Sequence, residues 1–310
     1  MTMSALHEKS TKVAIRGTLW NNYKRSRKAT KAAAETHKTT EKWVRASITL
    51  VDKKFVDAPR KILSAARNYL GGFTAGAADG RFIGGLLTWE DGWRILPNLL
   101  NAQVMRNLGQ FESEFWDAVA DLRAVLPTAI DAARSENPDL FNAADYGASY
   151  VKSSSVDDII SRYSFEIDKD PFPLPGQGNA IIDASDEAWK AAQAKADAKA
   201  QMRLKELTGH VIGTVFSVAE HFAERCEVFD PDDKGKSPFR DSTVEKVRDL
   251  IGVLPALNID NDARIEKARQ GLIDALGNKS AKELREDGNA REDTAAKARA
   301  VADNISNLFD

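Results

Sequence analysis

The longest periodic pattern in the chain runs from Asp186 to Arg225. Trp189, Ala192, Ala196, Ala200, Leu204, Leu207, Val211, Val215, Val218 and Phe222 recur at steps of three or four, which lines them along one helical stripe. Ser185 is placed to cap this helix, and Asp186 and Glu187 follow where the helix dipole favours negative charge. The mean step of about 3.67 residues is far from the 3.5 repeat of a left-handed supercoil, so a straight helix is expected. Between Ala192 and Ala200 the stripe holds only alanine. That half can bury little area and is expected to be exposed or to press against another backbone. From Leu204 onward Ile212 and Phe216 widen the stripe, which predicts a core helix.

Other segments are shorter. Lys12 to Leu19 alternates with period two and reads as a strand, with a helix from Ser4 as the competing reading. Residues 21–38 read as a helix, and residues 44–51, rich in β-branched side chains, as a second strand. Pro59 suits the first turn of a helix reaching Leu70. The glycines between Gly71 and Gly85 predict a loop or hairpin, Phe82 to Trp89 a small strand, and Asp91-Gly92 a turn. Helices are expected over 102–125 and 128–135, separated by Pro127. Arg162 to Asp168 is the clearest strand, with Tyr163, Phe165 and Ile167 on one face. Pro171, Pro173 and Pro175 with Gly176 and Gly178 read as a stiff linker. Capping-box patterns at Ser155, Ser242 and Ser280 open helices, the second of them stopped by Pro255. Further helices are expected over 261–276, ending at Gly277, and over 289–304.

These elements predict a mainly α protein. It should be a helical bundle with one long central helix and a small antiparallel β-sheet, the sheet built from Tyr163 to Ile167 and one or more of the N-terminal alternating segments. Three regions follow chain order, a basic region 1–70, a middle region 71–178 and a C-terminal helical bundle 179–310, with one continuous domain as the alternative.

Composition adds two constraints. The chain has 310 residues, 43% hydrophobic and 29% charged, as expected of a globular protein. No apolar run approaches eighteen residues and no apolar leader follows Met1, so neither secretion nor a membrane span is expected. The single cysteine, Cys226, fits a reducing, cytoplasmic setting. The net charge of −2 conceals an asymmetry: Lys9 to Arg67 holds sixteen Lys and Arg against four Asp and Glu. Such a basic stretch suits an acidic partner or head-to-tail attraction between copies.

Trp89-Glu90-Asp91-Gly92 with Arg94-Ile95-Leu96-Pro97, Arg162 to Glu166, Phe239 to Glu245, and Leu254 to Asn258 resemble a bacterial and phage family catalogued as domain of unknown function 3150. The resemblance spans about Val13 to Asn304 and brings no catalytic signature. It implies a role beside MoxR-like AAA ATPases, whose genes neighbour members of that family.

Candidate chemistry is concentrated near the N-terminus. Trp20, Tyr23, Lys24, Arg25, Arg27, Lys28 and Lys31 lie in a stretch without a carboxylate from Lys9 to Ala34. On a helix Lys24, Lys28 and Lys31 would share a face. Basic groups release counterions from phosphates and aromatic rings stack on bases, so DNA or RNA is a sensible ligand. His210 and His221 with Glu206, Glu220, Glu224 and Cys226 do not have the spacing of a metal site. The glycines at 71–85 and 176–178 lack the ending of a phosphate loop. Cys226 has His221 nearby but no spaced third partner, and no cofactor is expected. The Leu308-Phe309 tip loosely resembles clamp-binding peptides but lacks their glutamine, and helix-end packing is expected instead. The leading expectation is a non-enzymatic scaffold or adaptor that self-associates through Trp189, Ala192, Ala196 and Ala200. The alternative is a nucleic-acid-binding protein using the basic segment.

Overall fold

A computed structural model describes residues 3–71, 86–90, 92–136, 156–172, 186–231 and 239–307. The fold is mainly α with a small sheet, as the patterning predicts. In chain order the elements are α1 (Met3–Lys9), β1 (Ser10–Thr18), β2 (Tyr23–Arg25), α2 (Arg27–Thr36), β3 (Ser47–Thr49), α3 (Lys53–Leu70), β4 (Thr88–Glu90) and β5 (Trp93–Pro97). After a short 3₁₀ turn at Asn98–Leu100 come α4 (Asn101–Glu136), α5 (Val156–Ile160) and β6 (Ser164–Pro171). The C-terminal run is α6 (Asp186–Val228), α7 (Asp241–Leu257), α8 (Ala263–Leu276), α9 (Ala281–Glu286) and α10 (Gly288–Ser306). Four strands pair in the order β4-β5-β1-β6, and β2 and β3 form a separate two-stranded ribbon. The early segment thus holds both a helix, α1, and the strand β1 that competed with it. The sheet joins β6 to β1, as its alternation implied.

The chain divides into two compact units built from separate stretches: Met1–Ala14, Asn68–Val104 and Lys169–Asp310 in one, Ile15–Arg67 and Met105–Asp168 in the other.

In the first unit the core is helical. Leu204, Leu207, Val211, Val215, Ala219, Phe222 and Ala223 bury one stripe of α6. Against α6 lies α10, whose Ala295, Ala298 and Ala302 are buried. Small side chains on this stripe let two helices approach closely. Gly271 on α8 serves the same end, since a Cβ there would stand 2.6 Å from Val301 Cγ2 on α10. The cap at Ser280 is the expected capping box, with Glu283 N donating to Ser280 Oγ at 3.1 Å and Ser280 N donating to Glu283 at 2.6 Å. Gly277 ends α8 at φ 54°, also as expected. In the sheet part of this unit Ser10 pairs with Pro97 and Val13 with Arg94. Phe172 and Trp89 meet edge to face at 5.0 Å.

In the second unit Phe115 on α4 stacks at 5.3 Å on Phe165 and at 6.4 Å on Tyr163. Leu63 and Ala66 of α3 and Val119, Leu122 and Leu126 of α4 are buried as well. β1 runs close to β6 because residue 17 is glycine. A Cβ at Gly17 would stand 2.8 Å from both the Ser164 carbonyl and Leu63 Cδ1. Ser164 Oγ accepts from the Thr18 amide at 3.0 Å.

Several boundaries differ from the sequence reading. α4 runs unbroken through Pro127, and α3 begins at Lys53, so Pro59 lies inside it. Proline is costly within a helix because it removes one hydrogen bond and crowds the preceding turn, yet packing of Leu126, Ala129 and Ile130 holds α4 together across that point. Pro255 likewise sits inside α7, which starts at Asp241 with Arg240 as its cap residue rather than Ser242. The expected loop at 72–85, the Ser155 cap, most of the proline linker and the Leu308-Phe309 tip lie outside the described residues.

Candidate nucleic-acid interface

The basic stretch is not one helix. Tyr23 to Arg25 form β2, whose partners on β3 are Thr49, Ile48 and Ser47. The helix begins only at Arg27, capped by Ser26, whose side chain accepts from Ala29 N at 3.1 Å. The expected face of Lys24, Lys28 and Lys31 therefore does not exist, because Lys24 is on the ribbon and its side chain lies outside the described residues. Tertiary pairing overrides the helix propensity of Lys and Arg here. Trp20 is 4% exposed and belongs to the core, so it is removed from the candidate surface.

What replaces the helix face is a ribbon joined to a helix start. Buried Asn22 holds the base of the ribbon. Its Nδ2 donates to the Val51 carbonyl at 2.7 Å, and its own carbonyl accepts from Leu50 N at 3.1 Å. At the other end Ser26 N donates to Ala46 O at 3.1 Å, while Ala46 N donates to Thr30 Oγ1 at 3.0 Å. These bonds bring Arg45, which precedes Ala46, back to the start of α2, where Arg27 follows Ser26. Strand alternation puts Tyr23 and Arg25 on one face of β2, opposite Thr49 and Ser47. All four are exposed, and Tyr23 is 56% accessible. On α2, Thr30 and Ala34 point inward. Arg27, Lys28 and Lys31 are exposed, with Arg27 and Lys31 four residues apart on a shared face.

The return segment adds groups that the sequence reading missed. Trp43 is 76% exposed, the largest exposure among the aromatic side chains described, and Lys42 Nζ sits 5.3 Å from the centre of its ring. The signal for it is Lys42-Trp43 in a polar stretch directly before the β-branched run at 44–51. Ion pairs of this unit include Arg16 with Asp168, Lys54 with Asp52 and Arg123 with Asp157. Among the described residues Arg25, Arg27, Lys28, Lys31 and Arg45 have no carboxylate partner. Exposed Glu35 and Glu41 reduce the local positive charge without pairing to these cations.

The oligomer-contact candidates separate. Ala192 and Ala196 are exposed on α6, whereas Ala200 is fully buried within its own unit and drops out of any contact. Buried Ala200 follows Lys199, which lies over the Trp89 ring and pairs with Glu90. The side chain of Trp189 lies outside the described residues. His210, His221, Glu206, Glu220 and Glu224 are all exposed, and Cys226 is buried. No group of three metal-ligating side chains occurs among the described residues. Burial pushes the Cys226 thiol up to about 12, which keeps it protonated and unreactive.

In the first unit a cavity of about 370 Å³ opens between α6 and the start of α8, lined by Gln201, Lys205, Thr208, Asp260, Asp262 and Arg264 among others. Its Asp262 carboxylate is engaged: it accepts from the Arg264 guanidinium at 2.6 Å and from the Arg264 amide at 2.8 Å. These bonds hold its pKa below the usual carboxylate range. No helix among the described residues is long and apolar enough to cross a membrane.

No family model, curated protein or solved structure matches the chain.

Proposed function

We propose that this protein binds nucleic acid through the surface formed by β2, the first turns of α2 and the return segment carrying Trp43 and Arg45. The observation that carries this reading is the set of exposed cations without carboxylate partners, Arg25, Arg27, Lys28, Lys31 and Arg45, in a chain whose net charge is −2. A surface that only needed solubility would gain more from mixed charge with ion pairs. Unpaired guanidinium and ammonium groups on a rigid ribbon and helix start suit phosphates, which they neutralise with release of counterions. Ser47 and Thr49 add hydroxyl donors on the face of Tyr23 and Arg25. The role is binding rather than catalysis. A mobility shift with labelled DNA and RNA tests it. The wild type should shift at low salt, and the variant with Arg25, Arg27, Lys28 and Lys31 all changed to Glu should not. No wild-type shift, or equal shifts by both proteins, would overturn it.

A second reading rests on α6. Its Ala192 and Ala196 are exposed on a helical stripe that becomes core only further along, which supports self-association in a scaffold or adaptor. Replacing both with Glu should lower the native mass in sedimentation if copies meet there. An ATPase partner follows from the family resemblance alone.

A further inference from the structure

The ribbon and the return segment carry aromatic rings as well as charge, and the rings specify which form of nucleic acid fits. Resting on the nucleic-acid reading above, we infer that the ligand is single-stranded, with Trp43 and Tyr23 as stacking platforms for unpaired bases and the surrounding cations as the track for its phosphates.

Among the described aromatic side chains these two are the most exposed, with Trp116 on α4 next at 42%. Trp20 in the same unit is 4% exposed, Trp89 in the other is 6%, and Phe115, Phe165 and Tyr163 are buried together, whereas Trp43 is 76% exposed and Tyr23 56%. Neither exposed ring is needed for packing. Each is instead held by backbone that is itself fixed: Tyr23 by its pairing with Thr49, and Trp43 by the bond from its amide to Thr40 O at 3.0 Å.

A duplex offers nothing for such rings to stack on, because both faces of each base are covered by its neighbours. It would be read by groups that reach base edges within a groove. Here the side chains on the Tyr23 face are one ring, one guanidinium and two short hydroxyls. Strand geometry sets Tyr23 and Arg25 about 7 Å apart, so a base stacked on the ring leaves a neighbouring phosphate within reach of the guanidinium. Lys42 over Trp43 shows that the ring already presents its π-face to a cation, so a base on the open side and a phosphate beside Lys42 would combine stacking with charge. Sequence preference is not expected, since every base has a π-face.

The test uses the full chain and fluorescence anisotropy with four labelled probes of equal length: single-stranded DNA, single-stranded RNA, duplex DNA and duplex RNA. Single strands should bind more tightly than duplexes at matched salt. Trp43→Ala should weaken single-strand binding by roughly 5- to 150-fold while leaving weak duplex binding unchanged, and Trp43→Phe should restore most of the loss. The DNA and RNA arms report which sugar the site accepts, and tight binding of either supports the inference. Equal binding of single strands and duplexes, with Trp43→Ala changing neither, would overturn it and leave the nucleic-acid reading intact. Binding of no probe would overturn both.

Discussion

Asn22 closes on Val51 through two hydrogen bonds, its Nδ2 donating to the Val51 carbonyl at 2.7 Å and its Oδ1 accepting from the Val51 amide at 3.0 Å. Both residues are buried, so this clamp satisfies two main-chain groups that water cannot reach. It also sets the register of the ribbon that presents Tyr23 and Arg25.

Asn22→Ala should therefore expose the cost of unpaired buried polar groups, about 1–3 kcal/mol for each one left bare. The urea midpoint should fall, and amide exchange should quicken at Tyr23–Arg25 and Ser47–Thr49 before it does elsewhere. An unchanged midpoint would mean that the clamp contributes nothing.

Two glycine substitutions should have opposite signs. Gly17→Ala forces a methyl to within 2.8 Å of the Ser164 carbonyl, which cannot swing away, and should destabilise the protein by about 1–3 kcal/mol. Gly109, exposed on α4 with nothing within 4 Å of its added Cβ, has room. Gly109→Ala should stabilise by up to about 1 kcal/mol, because alanine restricts the unfolded chain and favours helix. Thermal or urea unfolding of the two variants checks both signs.

Stability should decline in alkali. Burial pushes both the Cys226 thiol and the Tyr163 phenol up to about 12, from ordinary values near 9 and 10. Above pH 9 the unfolded chain releases protons that the folded chain retains, so folding free energy is full below that point and is lost as pH rises towards 12. Cys226→Ala should flatten the part of this decline that begins near pH 9. A thiol reagent at neutral pH should label Cys226 only after denaturation.

The relation of sequence to structure is uneven for physical reasons. The α6 stripe from Leu204 to Phe222, the strand at Phe165 and Ile167, and the Ser280 cap each express a local rule strongly, and each was legible. Pro127, Pro59 and Pro255 misplaced helix boundaries because packing on either side outweighs the bond that each proline removes. The basic stretch misled for a different reason. Arg, Lys and Ala favour a helix locally, but the pairing of Tyr23–Arg25 with Ser47–Thr49 spans more than twenty residues and has no local signal. Trp20 and Tyr23 looked alike in sequence, and only their burial separates the core residue from the exposed one.

The salt dependence of binding gives each cation a count. For single-stranded probes the slope of log affinity against log salt should be about −0.7 for each phosphate neutralised. Changing Arg45 alone to Ala should reduce the slope by about one such increment and weaken binding to all sequences alike.

The most direct test of the account is the affinity of a labelled single-stranded oligonucleotide, measured across a salt series, for the wild type and for the protein with Arg25, Arg27, Lys28 and Lys31 changed to Glu. The account predicts wild-type binding that weakens steeply with salt, and no measurable binding by the folded variant at any salt. Wild-type affinity that is absent, or that matches the variant across the series, would contradict it.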